Sequence, residues 1–317
     1  MNELRLRHLL SIAQLEPQTA VGILDSAEAF FELSRRPIKK APTLRGKTLM
    51  NVFFENSTRT RTSFELAGKR LSADVVNISA STSSTKKGET LRDTMATLDA
   101  MQPDVVVIRH SASGAADYLA RNSRAAIINA GDGMHEHPTQ ALLDAFTMRR
   151  HLGDLAGKQV AICGDIRHSR VARSDALLLN MLGARVRFAA PRTMWPAAIT
   201  GDPPCALGVP IFDRLEPALE GADVVMMLRI QQERLGTALF PTTREYAKIW
   251  GLNAARLRLA KPGALVMHPG PMNRGVEISE EVAESPQAVV LDQVEAGVAV
   301  RMAVLYLCAS EPTSEVS

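Results

Sequence analysis

Short runs of apolar, often β-branched residues recur along the chain, separated by longer stretches of mixed polarity. They are Leu49–Phe54, Val75–Ile78, Val105–Ile108 and Ala125–Ile128, then Val160–Cys163, Val186–Ala190, Val224–Leu228 and Ala264–Met267. Runs this short that are apolar throughout read as strands buried on both faces, as in parallel sheets covered by helices. Between them the spacing turns helical. Phe64, Ala67 and Leu71 share a stripe of Ser63–Leu71, and Leu142 and Phe146 share one of Pro138–Arg150, which ends on Arg149 and Arg150. The alternation predicts an α/β fold. Eight strands in two sets of four predict two domains, each a mostly parallel sheet flanked by helices, with the active site in the interdomain crevice.

The polar stretch His151-Leu152-Gly153-Asp154-Leu155-Ala156-Gly157-Lys158 separates the two sets, which puts the boundary near residue 150. The expected domains are therefore 1–150 and 151–292. A last helical pattern over 293–308, with Val298, Met302 and Leu305 at helical spacing, fits either domain on pattern alone.

Composition narrows the function classes. The 317 residues are 46% hydrophobic and 22% charged, which is globular and excludes disorder. Lys and Arg number 37 against 34 Asp and Glu, a net charge of +3 that is too small to favour nucleic acid as the partner. Aromatic residues make up only 4%, too few for stacking single-stranded bases. Cys163, Cys205 and Cys308 are odd in number and far apart, so neither a disulfide framework nor a zinc site is expected. The start, Met1-Asn2-Glu3-Leu4-Arg5, lacks the apolar block of a signal peptide. Runs such as Val105–Ile108 fall far short of the ~20 apolar residues that span a bilayer. A soluble, cytoplasmic protein with no membrane partner is the expectation.

Candidate chemistry sits where strands end. Ser57-Thr58-Arg59-Thr60-Arg61 follows the first strand and leads into a helix. Hydroxyls and guanidiniums at a helix N-terminus make a socket for a phosphate or carboxylate, and Arg59 can hold two oxygens at once. An ordinary cap with solvated arginines is the plainer alternative. Gly46-Lys47-Thr48 resembles the end of a P-loop, but Ala41 stands at the required earlier glycine, and the triplet precedes a strand instead of following one. His135-Glu136-His137-Pro138-Thr139-Gln140 follows the fourth strand. Pro138 suits the first helical position, which makes His137 the N-cap and sets Gln140 one turn on, facing the crevice. His135 and His137 as metal ligands is the weaker alternative, since no third ligand lies nearby. Ser83-Ser84-Thr85-Lys86-Lys87-Gly88 reads either as a solvated turn or as a loop that reaches a ligand. Arg109, Arg170 and Arg229 end or follow strands, and His268-Pro269-Gly270-Pro271 ends the last one. Together they point to an anionic substrate held between two domains.

These motifs resemble the carbamoyltransferases, on the aspartate side of the family, and the likeness runs over nearly the whole chain. It is carried by Phe53-Phe54-Glu55-Asn56-Ser57-Thr58-Arg59-Thr60-Arg61, His137-Pro138-Thr139-Gln140, Arg229-Ile230-Gln231 and His268-Pro269-Gly270-Pro271-Met272-Asn273-Arg274-Gly275. The first segment is shared with the ornithine enzymes and so identifies carbamoyl phosphate, not the amine. Ornithine enzymes carry Cys where Thr139 stands and a His-Cys-Leu-Pro motif where His268-Pro269-Gly270-Pro271 stands. Arg170, Arg229 and Gln231 suit the two carboxylates of aspartate instead.

The resemblance implies transfer of the carbamoyl group of carbamoyl phosphate to the α-amine of L-aspartate, with no cofactor and no metal. It assigns Ser57, Thr58, Arg59 and Thr60 to the phosphate, Arg109 to phosphate and carbonyl oxygen, Thr60 and His137 to that carbonyl, and Gln140 to the carbamoyl NH2. Ser83 and Lys87 are implied to come from a neighbouring subunit of a homotrimer with shared active sites. Arg170, Arg229, Gln231 and Lys87 are implied to hold aspartate. Pro269 and Gly270 would supply backbone groups, Gly270 standing where some relatives have a bulkier residue. The final helix is implied to complete the first domain. Extension of the trimer into a dodecamer with regulatory or dihydroorotase-like chains is open, as are transfer to another amine and a non-catalytic partner that binds carbamoyl phosphate.

Overall fold

The computed structural model describes residues 4–79, 90–202, 204–230 and 242–309. They divide into two units, one made of the described residues up to Phe146 and from Glu295 onward, the other Thr147–Val294.

The first unit opens with helix α1 (Pro17–Arg35), whose Ala20, Ile23, Leu24, Ala27 and Phe31 are buried at helical spacing. Four strands follow in alternation with helices: β1 (Thr48–Phe53), α2 (Thr58–Arg70), β2 (Asp74–Ser79), α3 (Leu91–Asp99), β3 (Val105–His110), α4 (Ala115–Ala120), β4 (Ala126–Asp132) and α5 (Pro138–Leu152). All pairs are parallel, in the order β2-β1-β3-β4. One face of this sheet presents Met50, Val52, Val106, Ile108 and Ile127 at the two-residue strand period to Met95 and Leu98 of α3 and Ala116 and Leu119 of α4.

The second unit continues with β5 (Gln159–Cys163), α6 (Arg170–Met181), β6 (Arg185–Ala189), β7 (Cys205–Ala206), β8 (Val209–Phe212), α7 (Leu215–Leu219), β9 (Val224–Met227), α8 (Thr243–Trp250), α9 (Ala254–Leu257), β10 (Leu265–Met267) and α10 (Glu280–Ala283). Its sheet runs β10-β9-β5-β6-β8-β7 and is parallel except for the β7–β8 hairpin. The two sheets thus hold four and six strands among the described residues, where the sequence pattern predicts four and four. Pro204, Gly208 and Pro210 interrupt the extra hairpin, and its strands of two and four residues are too short to show a pattern.

The last helix, α11 (Val290–Ala309), starts earlier than the spacing predicts, and its part from Glu295 on belongs to the first unit. There Tyr306 meets Phe30 edge to face at 5.9 Å, and Leu6 N donates to the Leu307 carbonyl at 3.1 Å. The division between the units falls inside α5, ahead of the polar stretch that suggested a linker. Among the described residues no helix is long and apolar enough to cross a membrane.

Candidate active site

An open parallel sheet binds ligands beyond the carboxyl ends of its strands, where the order of strands reverses. In the first sheet the chain moves from β1 outward to β2 and then returns to β3 on the other side of β1, so the reversal lies between β1 and β3. Ser57–Thr60 follow β1, and Arg109 lies at the end of β3. The register sets Phe53 opposite Arg109, and Phe54 N donates to the Arg109 carbonyl at 2.9 Å.

Helix α2 begins at Thr58, so Thr58, Arg59 and Thr60 form its first turn, ahead of the start at Ser63 that the apolar stripe suggested. Ser57 is the N-cap residue, yet its hydroxyl makes no capping hydrogen bond. The caps of α3, α6 and α8 behave differently: Thr90, Ser169 and Thr242 each accept from a first-turn N–H. The first turn of α2, unlike those of α3, α6 and α8, therefore keeps the donor that a capping side chain would occupy, and the helix dipole adds positive potential. Thr60 is buried, while Thr58 and Arg59 are exposed.

Arg109 is oriented from two sides. Its Nε lies 3.3 Å from Glu55 Oε2, with only 11% and 15% of the two side chains exposed, and its Nη1 donates to the Ala130 carbonyl at 3.2 Å. Glu55 was not among the residues singled out from the sequence, although it sits inside the motif as the one acid in a basic segment. Next to Arg109, His110 packs edge-on to Phe54 at 4.9 Å, and burial pushes its pKa down against the opposing charges of Glu55 and Asp132.

The loop after β4 is tied by Asp132, which accepts from Gly114 N at 2.6 Å, Asn129 Nδ2 at 2.8 Å and Glu136 N at 3.1 Å. The same carboxylate lies 3.0 Å from His135 Nδ1. His135 is thereby turned to Asp132, whereas His137 is buried, and its carbonyl starts α5 by accepting from Gln140 N at 2.9 Å. Among the described residues no group of three His, Cys, Asp or Glu is placed to hold a metal ion. Gln140 is buried and gives its amide hydrogens to Asp144 one turn on.

In the second sheet the reversal lies between β5 and β9, and the predicted cations flank it. Arg170 opens α6 beyond β5 and is buried; Arg229 stands two residues beyond β9 and is half-buried. Asp165 shapes the turn between β5 and α6, accepting from His168 N at 3.1 Å and lying 2.9 Å from its ring Nδ1. Pro269 and Gly270 follow β10, which neighbours β9, and Gly270 N donates to His268 Nδ1 at 2.8 Å. The peptide between Gly270 and Pro271 is cis.

A carboxylate unnoticed in the sequence organises this edge. Glu277 is fully buried and accepts from Ile230 N at 2.9 Å, Asn273 N at 2.8 Å and Asn273 Nδ2 at 2.7 Å. It joins the residue after Arg229 to the loop after Gly270. Burial raises its pKa, and the hydrogen bonds from Ile230 and Asn273 oppose the rise. Ser83, Lys87 and Gln231 lie outside the described residues.

Comparison with known proteins matches residues 7–150 to the family described as aspartate/ornithine carbamoyltransferase, carbamoyl-P binding domain, and residues 156–308 to its Asp/Orn binding domain. A protein of Sorangium cellulosum named aspartate carbamoyltransferase catalytic subunit is 66% identical over 305 residues, covering 96% of this chain and 94% of that one. A protein of the same name from Syntrophotalea carbinolica is 62% identical, covering 95% of each. Among solved structures, an aspartate transcarbamoylase of Trypanosoma cruzi in complex with carbamoyl phosphate and aspartate is 31% identical, with a TM-score of 0.83 over 96% of this chain and 97% of that one.

Proposed function

Because the chain belongs to the aspartate/ornithine carbamoyltransferase family, we infer that it transfers the carbamoyl group of carbamoyl phosphate to the α-amine of L-aspartate, giving N-carbamoyl-L-aspartate and phosphate. Its product serves de novo pyrimidine biosynthesis. One observation carries the choice of amine: Arg170 and Arg229 flank the reversal of the second sheet. Two guanidiniums suit the two carboxylates of aspartate, whereas the cationic side chain of ornithine calls for acids there.

Ser57, Thr58, Arg59 and Thr60 hold the phosphate, with support from the uncapped first turn of α2. Arg109, steadied by Glu55, bridges the phosphate and the carbonyl oxygen. Gln140 takes the carbamoyl NH2. Arg170, Arg229 and Gln231 grip aspartate, while Pro269 and Gly270 offer backbone groups. The amine attacks the carbonyl carbon, and negative charge grows on an oxygen that Thr60, Arg109 and His137 stabilise by hydrogen bonds. His137 acts as a hydrogen-bond donor to that oxygen and not as the base, a role left to the departing phosphate. The carbon–oxygen bond to phosphate then breaks, and the departing phosphate takes the amine proton. The step needs no cofactor and no metal.

The family likeness further supports a homotrimer in which Ser83 and Lys87 serve a neighbouring subunit's site, Lys87 also meeting aspartate. It leaves open a dodecamer with other chains. A cytoplasmic setting accords with three cysteines that form no disulfide with one another, two of them buried. The test is an assay of purified protein with carbamoyl phosphate and either aspartate, ornithine or a related amine. Carbamoylation of aspartate alone is the expected result, and transfer to ornithine instead overturns the reading.

A further inference from the structure

Gln140 and Asp144 stand one turn apart on α5, both buried, and the Gln140 amide nitrogen lies 3.1 Å from each Asp144 carboxylate oxygen. A carboxylate accepts hydrogen bonds and has none to give, so the NH2 side of the amide must face Asp144. The amide oxygen is thereby turned the other way, where it accepts and cannot donate. The NH2 group of carbamoyl phosphate is its complement, a donor whose lone pair is tied up in the amide.

Asp144 has its own support. Arg301 of α11 is buried and faces Asp144 electrostatically; burial pushes the guanidinium down to about 10, and Asp144 opposes the fall, so the cation persists at neutral pH. Its Nη1 donates to the Gly297 carbonyl at 3.2 Å, and its guanidinium carbon sits 5.1 Å from the centre of the Phe64 ring. Phe64 lies one turn after Thr60 on α2, the helix assigned to the phosphate. Gly297 leaves room for the guanidinium, because a Cβ there would come within 2.6 Å of Arg301 Nη1. Such a glycine within a helix costs about 1 kcal/mol relative to alanine, and the close approach of Arg301 accounts for it.

We propose that Asp144 is a positioning residue: it fixes Gln140 with its amide oxygen turned to receive the carbamoyl NH2, and Arg301 anchors Asp144 among α2, α5 and α11. The proposal rests on the assignment of carbamoyl phosphate to the first unit, and it explains how the site tells an amino group from a methyl group of the same size. Without Asp144, Gln140 is free to rotate and offer its own NH2, which repels the ligand's.

The test compares the binding of carbamoyl phosphate with that of acetyl phosphate, in which methyl replaces NH2, and of inorganic phosphate, which reports the anion socket alone. Asp144→Ala strands a buried cation, which is costly, so the decisive variant is Asp144→Ala with Arg301→Met. It is expected to lose about tenfold of the preference for carbamoyl over acetyl phosphate, the size of one hydrogen bond, with phosphate affinity unchanged. Asp144→Asn with Arg301→Met keeps an acceptor toward Gln140 and is expected to recover the preference. In a Gln140→Ala background, removing Asp144 is expected to change the preference no further.

A preference within twofold of wild type in the Asp144→Ala, Arg301→Met protein overturns the proposal. So does a further loss in the Gln140→Ala background, a failure of the asparagine variant to recover, or an equal loss of phosphate affinity. Wild-type protein that prefers carbamoyl phosphate yet leaves aspartate unmodified counts against the proposed reaction and leaves this positioning role standing.

Discussion

The two units begin their sheets alike and end them differently. Gly46-Lys47-Thr48 leads into β1 and Gly157-Lys158-Gln159 into β5, each glycine turning the chain at positive φ, 81° and 75°. The first N–H of each strand then donates to a carboxylate standing just before the neighbouring strand: Thr48 N to Asp104 at 2.7 Å, and Gln159 N to Asp223 at 2.8 Å. A lysine joins each brace, Lys47 to Asp104 at 2.9 Å and Lys261 to Asp223 at 2.8 Å. The Gly-Lys-Thr that imitates a nucleotide loop is therefore half of a repeated strand-starting device, and its lysine is directed to a protein carboxylate. At the opposite edges each unit sets arginines at or beyond the ends of the two strands of its reversal, Arg59 and Arg109 in the first and Arg170 and Arg229 in the second, but their supports differ. The first unit offers a helix N-terminus and helix side chains backed by the Asp144–Arg301 pair, while the second offers loops gathered on Glu277. Starting a parallel strand poses the same backbone problem in both units, whereas an acyl phosphate and a dicarboxylic amino acid pose different recognition problems.

On this contrast the largest single effect belongs to the first unit. His137→Ala is expected to lower kcat by about a hundredfold or more, as for loss of one donor to a developing oxyanion. Its thermal transition should move little, because the His137 carbonyl, retained in the variant, is what starts α5. Turnover within twofold of wild type would reduce His137 to a helix start.

Next comes the split between substrates. Arg229→Ala is expected to raise the aspartate requirement by roughly 10- to 150-fold, the range for a lost charge-assisted hydrogen bond of about 1.5–3 kcal/mol. Carbamoyl phosphate affinity should stay near wild type. Arg59→Ala should give the reverse. Steady-state kinetics with each substrate varied in turn checks both, and equal weakening of the two substrates by either variant breaks the assignment of one ligand to each unit.

The same contrast governs what could be read from sequence. The central strands announced themselves because burial on both faces makes them apolar or nearly so, whereas the short β7 and β8 did not, and Arg59, His137 and Arg229 stood out because they follow those runs closely. Helix α2 looked shorter than it is, since its first turn, Thr58-Arg59-Thr60, carries no apolar residue to extend the stripe. Helix α1 was overlooked even though Ile23, Leu24, Ala27 and Phe31 carry a helical stripe after Pro17, an N1 proline that marks the start. Asp144 and Glu277 were not legible at all. An acid in a helix or loop is ordinarily solvated, and what makes these two different is a distant partner: Arg301 for the first, the Ile230 amide for the second. Only the folded chain brings those partners together.

Whether one chain's first unit supplies a whole phosphate site is sharpened by mixing. Inactive Lys87→Ala and inactive Arg59→Ala chains, dissociated and reassembled together, are expected to regain activity, because in a mixed cyclic trimer about one site in three joins an intact Arg59 to an intact Lys87 from next door. Mixed trimers confirmed by chromatography that remain inactive would return Lys87 to its own chain's site.

The smallest effects fall on the shared strand-starting device, where the two units should behave alike and catalysis should not respond. Asp104→Asn and Asp223→Asn are each expected to cost about 1–2 kcal/mol of stability, a hydrogen bond to a charged group plus a partly exposed ion pair, with KM values for both substrates unchanged. Asp223 also fixes the sign of a pH dependence. Burial pushes its pKa up, but the Gln159 N–H, the Lys261 ammonium and the charge of Lys158 outweigh burial and hold the carboxyl below its ordinary value. A depressed pKa means that the folded state binds the proton less readily than the unfolded one. The stabilisation is then fully present above the unfolded value, about 3.9, and is lost as pH falls through the folded value. Urea unfolding at a series of pH values should show a constant difference between wild type and Asp223→Asn from pH 5 to about 8, shrinking below about pH 4. A difference that grows on acidification would mean that the ionised carboxylate is not what starts β5.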